Sequence, residues 1–134
     1  KIVDQYFQYN VVLTSHLVCY AAFELLRKKY PNVDLFTLLR TPPDEIKIAA
    51  NDLYETIECL KEQLKTMNQN NEVLLSPEIR FTTDKLVEHG MSNLNMYHAN
   101  SPIERSADGT SYYSEDLKLL YYYHNRLEGY KLKV

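Results

Sequence analysis

The sequence has no tryptophan, only three glycines and two cysteines, and no excess of basic residues. Each shortage excludes something. So few glycines leave no Gly-rich turn to cradle a phosphate or a dinucleotide, and no Gly-x-Ser-x-Gly elbow occurs. Cys19 and Cys59 form neither a Cys-x-x-Cys motif nor a disulfide framework. Both fall in helix-patterned sequence, where they are expected to be buried thiols. His16, His89, His98 and His124 lack the spacing of metal ligands on one helix, and there is no His-Glu-x-x-His. No metal and no cofactor are expected. A net charge of −3 offers no basic field to nucleic acid or to an anionic membrane. No apolar run reaches the roughly 17–25 residues that a spanning helix needs.

What is present is a spine. Val11 to Leu26 reads as a helix with apolar residues almost all round, interrupted by Thr14, Ser15, His16 and Glu24. Such a helix lies at the centre of a core, or else against another domain or a membrane interface. Arg27, Lys28 and Lys29 place cations at its C-terminus, where the macrodipole favours them, and Tyr30-Pro31-Asn32 stops it. Ile2 to Asn10 could be its first turns or irregular chain. Asp34 is a plausible cap for a short helix with Leu35, Leu38 and Leu39 on one face. Thr41-Pro42-Pro43-Asp44 breaks the chain and resembles a helix start. Lys47 to Ala50 fits either a short extended piece or a helix.

A longer helix, Asp52 to about Met67, is expected after Asn51. Leu53, Ile57, Leu60, Leu64 and Met67 make its apolar stripe, and Glu55, Glu58, Lys61, Glu62 and Lys65 a solvated face. Val73 to Leu75 is a strand candidate ended by Ser76-Pro77. Thr82 or Thr83 should cap a helix from Asp84 to about Leu94. Gly90 inside it costs about 1 kcal/mol against alanine, which a close helix crossing or an early end would explain. Asp108-Gly109 between extended runs, Tyr97 to Ile103 and Thr110 to Tyr113, signals a hairpin. Ser114 should cap the last helix, with Leu117, Leu120, Tyr121, His124 and Leu127 inward and Gly129 closing it. The fold class is therefore mainly α: one compact helical domain, residues 1–134, around an apolar central helix, with a small β-hairpin before the last helix. The chain starts at Lys1 in helical-looking sequence, which suggests a C-terminal fragment of a longer protein.

Twelve tyrosines against four phenylalanines suit half-buried surfaces and interfaces. The densest cluster is Tyr121-Tyr122-Tyr123-His124-Asn125-Arg126. Three consecutive helical tyrosines spread over about 200° of arc, so they cannot all face one core. Tyr121, Tyr122, Tyr123, His124 and Arg126 are candidates for contact with another domain. His16 and Cys19, one turn apart on the spine, could be a nucleophile pair or simply core. A helical set ending in a hairpin also imitates a winged helix, although its outer faces are not basic.

Several stretches together resemble the C-terminal region of bacterial glycerol-3-phosphate and 1-acylglycerol-3-phosphate acyltransferases. They are Asn10 to Val18, Phe23 to Pro31, Met96-Tyr97-His98-Ala99, and Leu119 to Tyr130. That family's catalytic motif is a histidine followed five residues later by an aspartate, with the histidine as general base. Here the residues five after His16, His89, His98 and His124 are Ala21, Leu94, Ile103 and Gly129. The resemblance therefore implies a non-catalytic accessory domain with no catalytic residue of its own. It would pack on an N-terminal acyltransferase domain of phospholipid biosynthesis, or help to shelter an acyl chain. The implied parent is cytoplasmic and peripheral to the inner face of the membrane, and self-association is compatible with it. No nucleic acid is expected. The alternative is an independent, winged-helix-like protein-interaction module.

Overall fold

A computed structural model describes residues 11–41, 46–130, 132 and 134, with the backbone alone for Val11 and Tyr97. The expectations for Ile2 to Asn10 and for the break at Pro42-Pro43-Asp44 lie outside the described residues. In chain order the elements are β1 (Val11–Val12), α1 (Thr14–Lys29), α2 (Leu35–Arg40), β2 (Ile48–Ala49) and α3 (Ala50–Gln69). Then come β3 (Leu74–Leu75), a 3-10 turn (Pro77–Arg80), α4 (Thr83–Tyr97), β4 (Glu104–Arg105), β5 (Ser111–Tyr113) and α5 (Leu117–Glu128). The fold is mainly helical, with the hairpin before the last helix.

The central helix is α1. It packs against α5, α4 and α3 and buries Leu17, Val18, Cys19, Tyr20, Ala21, Ala22, Phe23 and Leu26. Its own chain covers it on those sides. Arg27, Lys28 and Lys29 sit in its last turn, and Tyr30 caps it by donating its backbone N–H to the Leu26 carbonyl. The helix starts three residues later than the apolar run. Val11 and Val12 leave it to form β1, paired in parallel with Leu74 and Leu75. Two β-branched residues prefer the extended backbone, and the Leu74–Leu75 edge supplies their partner.

The α3 stripe lies as its spacing implies: Leu53, Ile57, Leu60 and Leu64 are buried. Its charged face departs from expectation at Lys61, which is buried, with its ammonium donating to the Phe81 carbonyl at 2.9 Å. The stem of a lysine can line an apolar surface when its tip finds an acceptor. Glu62 and Lys65 do pair at the surface, 3.4 Å apart. Asp34 caps α2 by accepting from the Thr37 N–H at 2.8 Å.

Gly90 marks a close crossing. A Cβ on it would stand 3.0 Å from the Thr14 carbonyl oxygen and 3.1 Å from Val18 Cγ2. Beside it the Thr14 hydroxyl and His89 Nδ1 are 2.7 Å apart, so α4 is also tied to the first turn of α1 by a hydrogen bond.

Several boundaries differ from the sequence pattern. Helix α3 starts at Ala50, so Asn51 lies within its first turn and does not cap it. Helix α4 runs on through Tyr97, and the first hairpin strand is only Glu104–Arg105. Residues near Ser101 bond to Glu115 instead: Ser101 N–H donates to Glu115 Oε1 at 3.2 Å, and Glu115 N–H to the Ser101 carbonyl at 2.9 Å. The hairpin tip is as read, with Gly109 in the left-handed region at φ +76°. Asp108 braces it, accepting from Ser106, Thr110 Oγ1 and the Thr110 N–H, which holds its carboxyl down to about 2. Helix α5 is capped by Asp116, not Ser114. Asp116 accepts from Leu119 N–H at 3.1 Å, and Ser114 accepts from Asp116 N–H one step earlier. Strand β2 joins the hairpin through β5, giving the antiparallel order β2-β5-β4.

Candidate functional site

Helix α5 shares its residues between three environments. Tyr122 and Arg126, four apart, face solvent, and the guanidinium lies 5.9 Å from the Tyr122 ring centre. Tyr123 is half-buried. Its hydroxyl is 2.8 Å from His98 Nε2, and its ring stacks on His16 at 6.2 Å. Tyr121 and His124 turn towards α1. Of the five residues expected to meet another domain, Tyr122 and Arg126 alone are exposed; His124 is completely buried.

The His124 ring is held on several sides. Tyr20 stacks on it at 4.8 Å with planes 4° apart, Tyr121 lies at 5.8 Å, and Phe23 is tilted against it at 4.9 Å. Its Nε2 sits 2.7 Å from Glu24 Oε2 and 3.2 Å from Glu128 Oε2. Its Nδ1 is 3.2 Å from Asn125 Oδ1. Arg27 Nη1 approaches Glu24 Oε2 at 3.8 Å. The Tyr20 hydroxyl donates to the Leu132 carbonyl at 3.1 Å. Burial, reinforced by Glu24 and Glu128, pushes that phenol up to about 12, so it stays protonated.

This convergent acid–base pair is new relative to the sequence. His124 and Glu128 are one turn apart on a helix, so that half of the contact was readable. Glu24 lies 100 residues away, and no local pattern points to it. A general base must reach the proton it abstracts. The His124 ring has no accessible surface, and Nε2 is engaged by two carboxylates, so it is not poised to take a substrate proton. The His16–Cys19 pair fares no better as a nucleophile. Cys19 is fully buried, which pushes its thiol well above the ordinary range and keeps it from ionising. Cys59, expected to be buried, is exposed on α3.

The chain matches no protein-family model, no curated protein and no solved structure. The surface itself carries one further feature. An open groove of about 390 Å³ lies between the end of α1 and β2, lined by Leu25, Leu26, Ile48, Lys28, Lys29 and Lys47 among others. Two of its ammonium groups already donate to backbone carbonyls: Lys28 to Val134 and Lys29 to Lys47, each at 3.2 Å. No helix among the described residues is long and apolar enough to cross a membrane.

His16 gives the site a pH signature. Burial, then the nearby Arg126 charge, lowers it from 6.5 to about 4. Between those values the unfolded chain binds a proton that the folded chain refuses. Stability should therefore fall as pH drops from 6.5 towards 4. The ring is partly exposed, so the slope stays well below the roughly 1.4 kcal/mol per pH unit of a fully refused proton. Urea midpoints measured across this range should change less steeply in His16→Gln than in the parent. Equal slopes would remove His16 as the cause.

Proposed function

We propose that this chain is a non-catalytic accessory domain of a glycerol-phosphate acyltransferase of phospholipid biosynthesis, and that it docks on the catalytic domain through the exposed face of α5. One observation carries the reading. The stretches on which the family resemblance rests are scattered through the sequence, yet they meet in one place in the fold. His16, from the first, stacks on Tyr123, from the last, and His98, from the third, bonds to the same tyrosine. Phe23 and Glu24, from the second, touch Tyr121 and His124. Residues that resemble a family by pattern are thus among those that weld α1, α4 and α5 together. Among the residues α5 leaves outward, Tyr122 with Arg126 against its ring are of the types that most often anchor an interface.

The test has two arms. The purified chain, given glycerol 3-phosphate and an acyl-CoA, should transfer no acyl group; transfer would overturn the reading. Mixed with an acyltransferase catalytic domain from the same genome, it should bind. Tyr122→Ala and Arg126→Ala should each weaken that binding by about tenfold or more, as loss of an interface anchor of 1–2 kcal/mol does. Both side chains are exposed, so the unfolding midpoint should barely move. Binding unchanged in both variants would take the docking face off α5.

The alternative, an independent winged-helix-like interaction module, is favoured by the β4–β5 hairpin that follows two helices and joins β2 in one sheet. The exposed start of α4 offers Asp84 and Glu88 against Lys85, a poor surface for phosphates. Binding to an unrelated protein, with none to the acyltransferase domain, would select this alternative.

A further inference from the structure

Glu24, His124 and Glu128 each present one ligand atom to a common point, with the three atoms all within 4.8 Å of one another. We propose that these residues form a binding site for a divalent first-row transition metal, with Zn²⁺ the natural probe.

Nε2 of the buried His124 faces two carboxylate oxygens, at 2.7 and 3.2 Å, and ionised carboxylates only accept. What sits among these three atoms is therefore either a hydrogen on Nε2 or a cation. Asn125 Oδ1 lies 3.2 Å from Nδ1, an acceptor for the tautomer with its hydrogen there and its lone pair on Nε2. When a divalent cation takes the central place, one metal–nitrogen and two metal–oxygen bonds form, any hydrogen on Nε2 leaves as H⁺, and nothing is oxidised.

The geometry suits the ion. At metal–ligand distances of about 2.0–2.1 Å, tetrahedral neighbours stand roughly 3.3 Å apart. The two imidazole–carboxylate spacings are 2.7 and 3.2 Å, and the partly exposed carboxylates are free to adjust to each other. His124 and Glu128 clamp from one turn of α5, and Glu24 closes the site from α1. With metal on Nε2, Nδ1–H would donate to Asn125 Oδ1, the kind of outer contact that orients a ligating histidine. The ring is locked between Tyr20, Tyr121 and Phe23, so it needs no reorganisation. Glu128 is 55% exposed and Glu24 24%, which leaves the remaining coordination positions to water. Arg27 offsets one carboxylate charge, and the site keeps a net negative charge with a neutral imidazole. One histidine with two carboxylates favours a borderline metal over calcium, which takes oxygen ligands only.

The experiment uses tag-free protein stripped with a chelator, titrated calorimetrically with Zn²⁺ alone. One saturable site is expected, together with a rise in the unfolding midpoint. Glu128→Gln, an exposed change that leaves folding intact, should lower the affinity by at least the about 10–100-fold that follows loss of an outer partner. Glu24→Gln should do the same. The Co²⁺-loaded protein should show visible absorption of an oxygen- and nitrogen-ligated site. No saturable uptake up to about 1 mM Zn²⁺, a bound free energy of only about 4 kcal/mol, would overturn the proposal. So would uptake that both variants leave unchanged, since the ion would then sit on other histidines.

Discussion

Leucine in place of Gly90 is expected to remove about 3 kcal/mol or more from the folded state, a large share of the roughly 5–15 kcal/mol margin of a typical domain. The reason is the crossing of α1 and α4. A Cβ at this position already stands 3.0 Å from the Thr14 carbonyl oxygen, which belongs to the first turn of a helix and cannot swing aside. A full side chain must separate the helices, and the Thr14–His89 hydrogen bond and the packing of Val18 would go with it. Alanine tests the same geometry more finely. Propensity alone predicts that Gly90→Ala stabilises α4 by about 1 kcal/mol. The overlap predicts the opposite sign, because overpacking costs about 1–3 kcal/mol. Urea unfolding of both variants decides it: a higher midpoint for Gly90→Ala would mean that the crossing is looser than described.

Truncating His124 to alanine should cost about 3–5 kcal/mol, the range for deleting a large buried ring. The ring fills the space between Tyr20, Phe23 and Tyr121, and its removal also strips Glu24 of its 2.7 Å partner. His124→Phe separates the two effects. It keeps most of the packing and forfeits the polar contacts, so it should cost about 1–3 kcal/mol, the penalty for a polar group left without its partner. Glu24 is partly exposed and can turn to water, which places the expected value at the lower end. If the phenylalanine variant is as unstable as the alanine one, the polar contacts dominate and the stacking does not.

The sequence was legible wherever one helix decides its own pattern. The α3 stripe, the Asp34 cap, the Arg27-Lys28-Lys29 stop and the Asp108-Gly109 tip all follow from local spacing or local conformation. It was less legible where a distant partner decides. Val11 and Val12 look like helix until Leu74 and Leu75 are known to lie beside them. Lys61 looks solvated until the Phe81 carbonyl comes within reach. Tyr97 looks extended, but it closes α4, and Ser101 bonds to Glu115 in place of a ladder partner, which leaves shorter strands. The candidate site shows the same divide. That three consecutive tyrosines must part company followed from 100° per residue. That His124 goes inward followed from the apolar stripe; that Glu24 meets it there did not.

The partner that α1 needs most is made long after it. Glu24 and His124 are 100 positions apart, and the most extensive neighbour of the apolar helix is α5, the last of the described helices. Ribosomes add about 5–20 residues per second, so α1 emerges many seconds before α5 exists to cover it. During that interval Leu17, Val18, Phe23 and Leu26 have no permanent shelter. Nascent chains arrested before Leu117 should therefore recruit chaperones or aggregate, and release of the last helix should be the moment at which the domain becomes native.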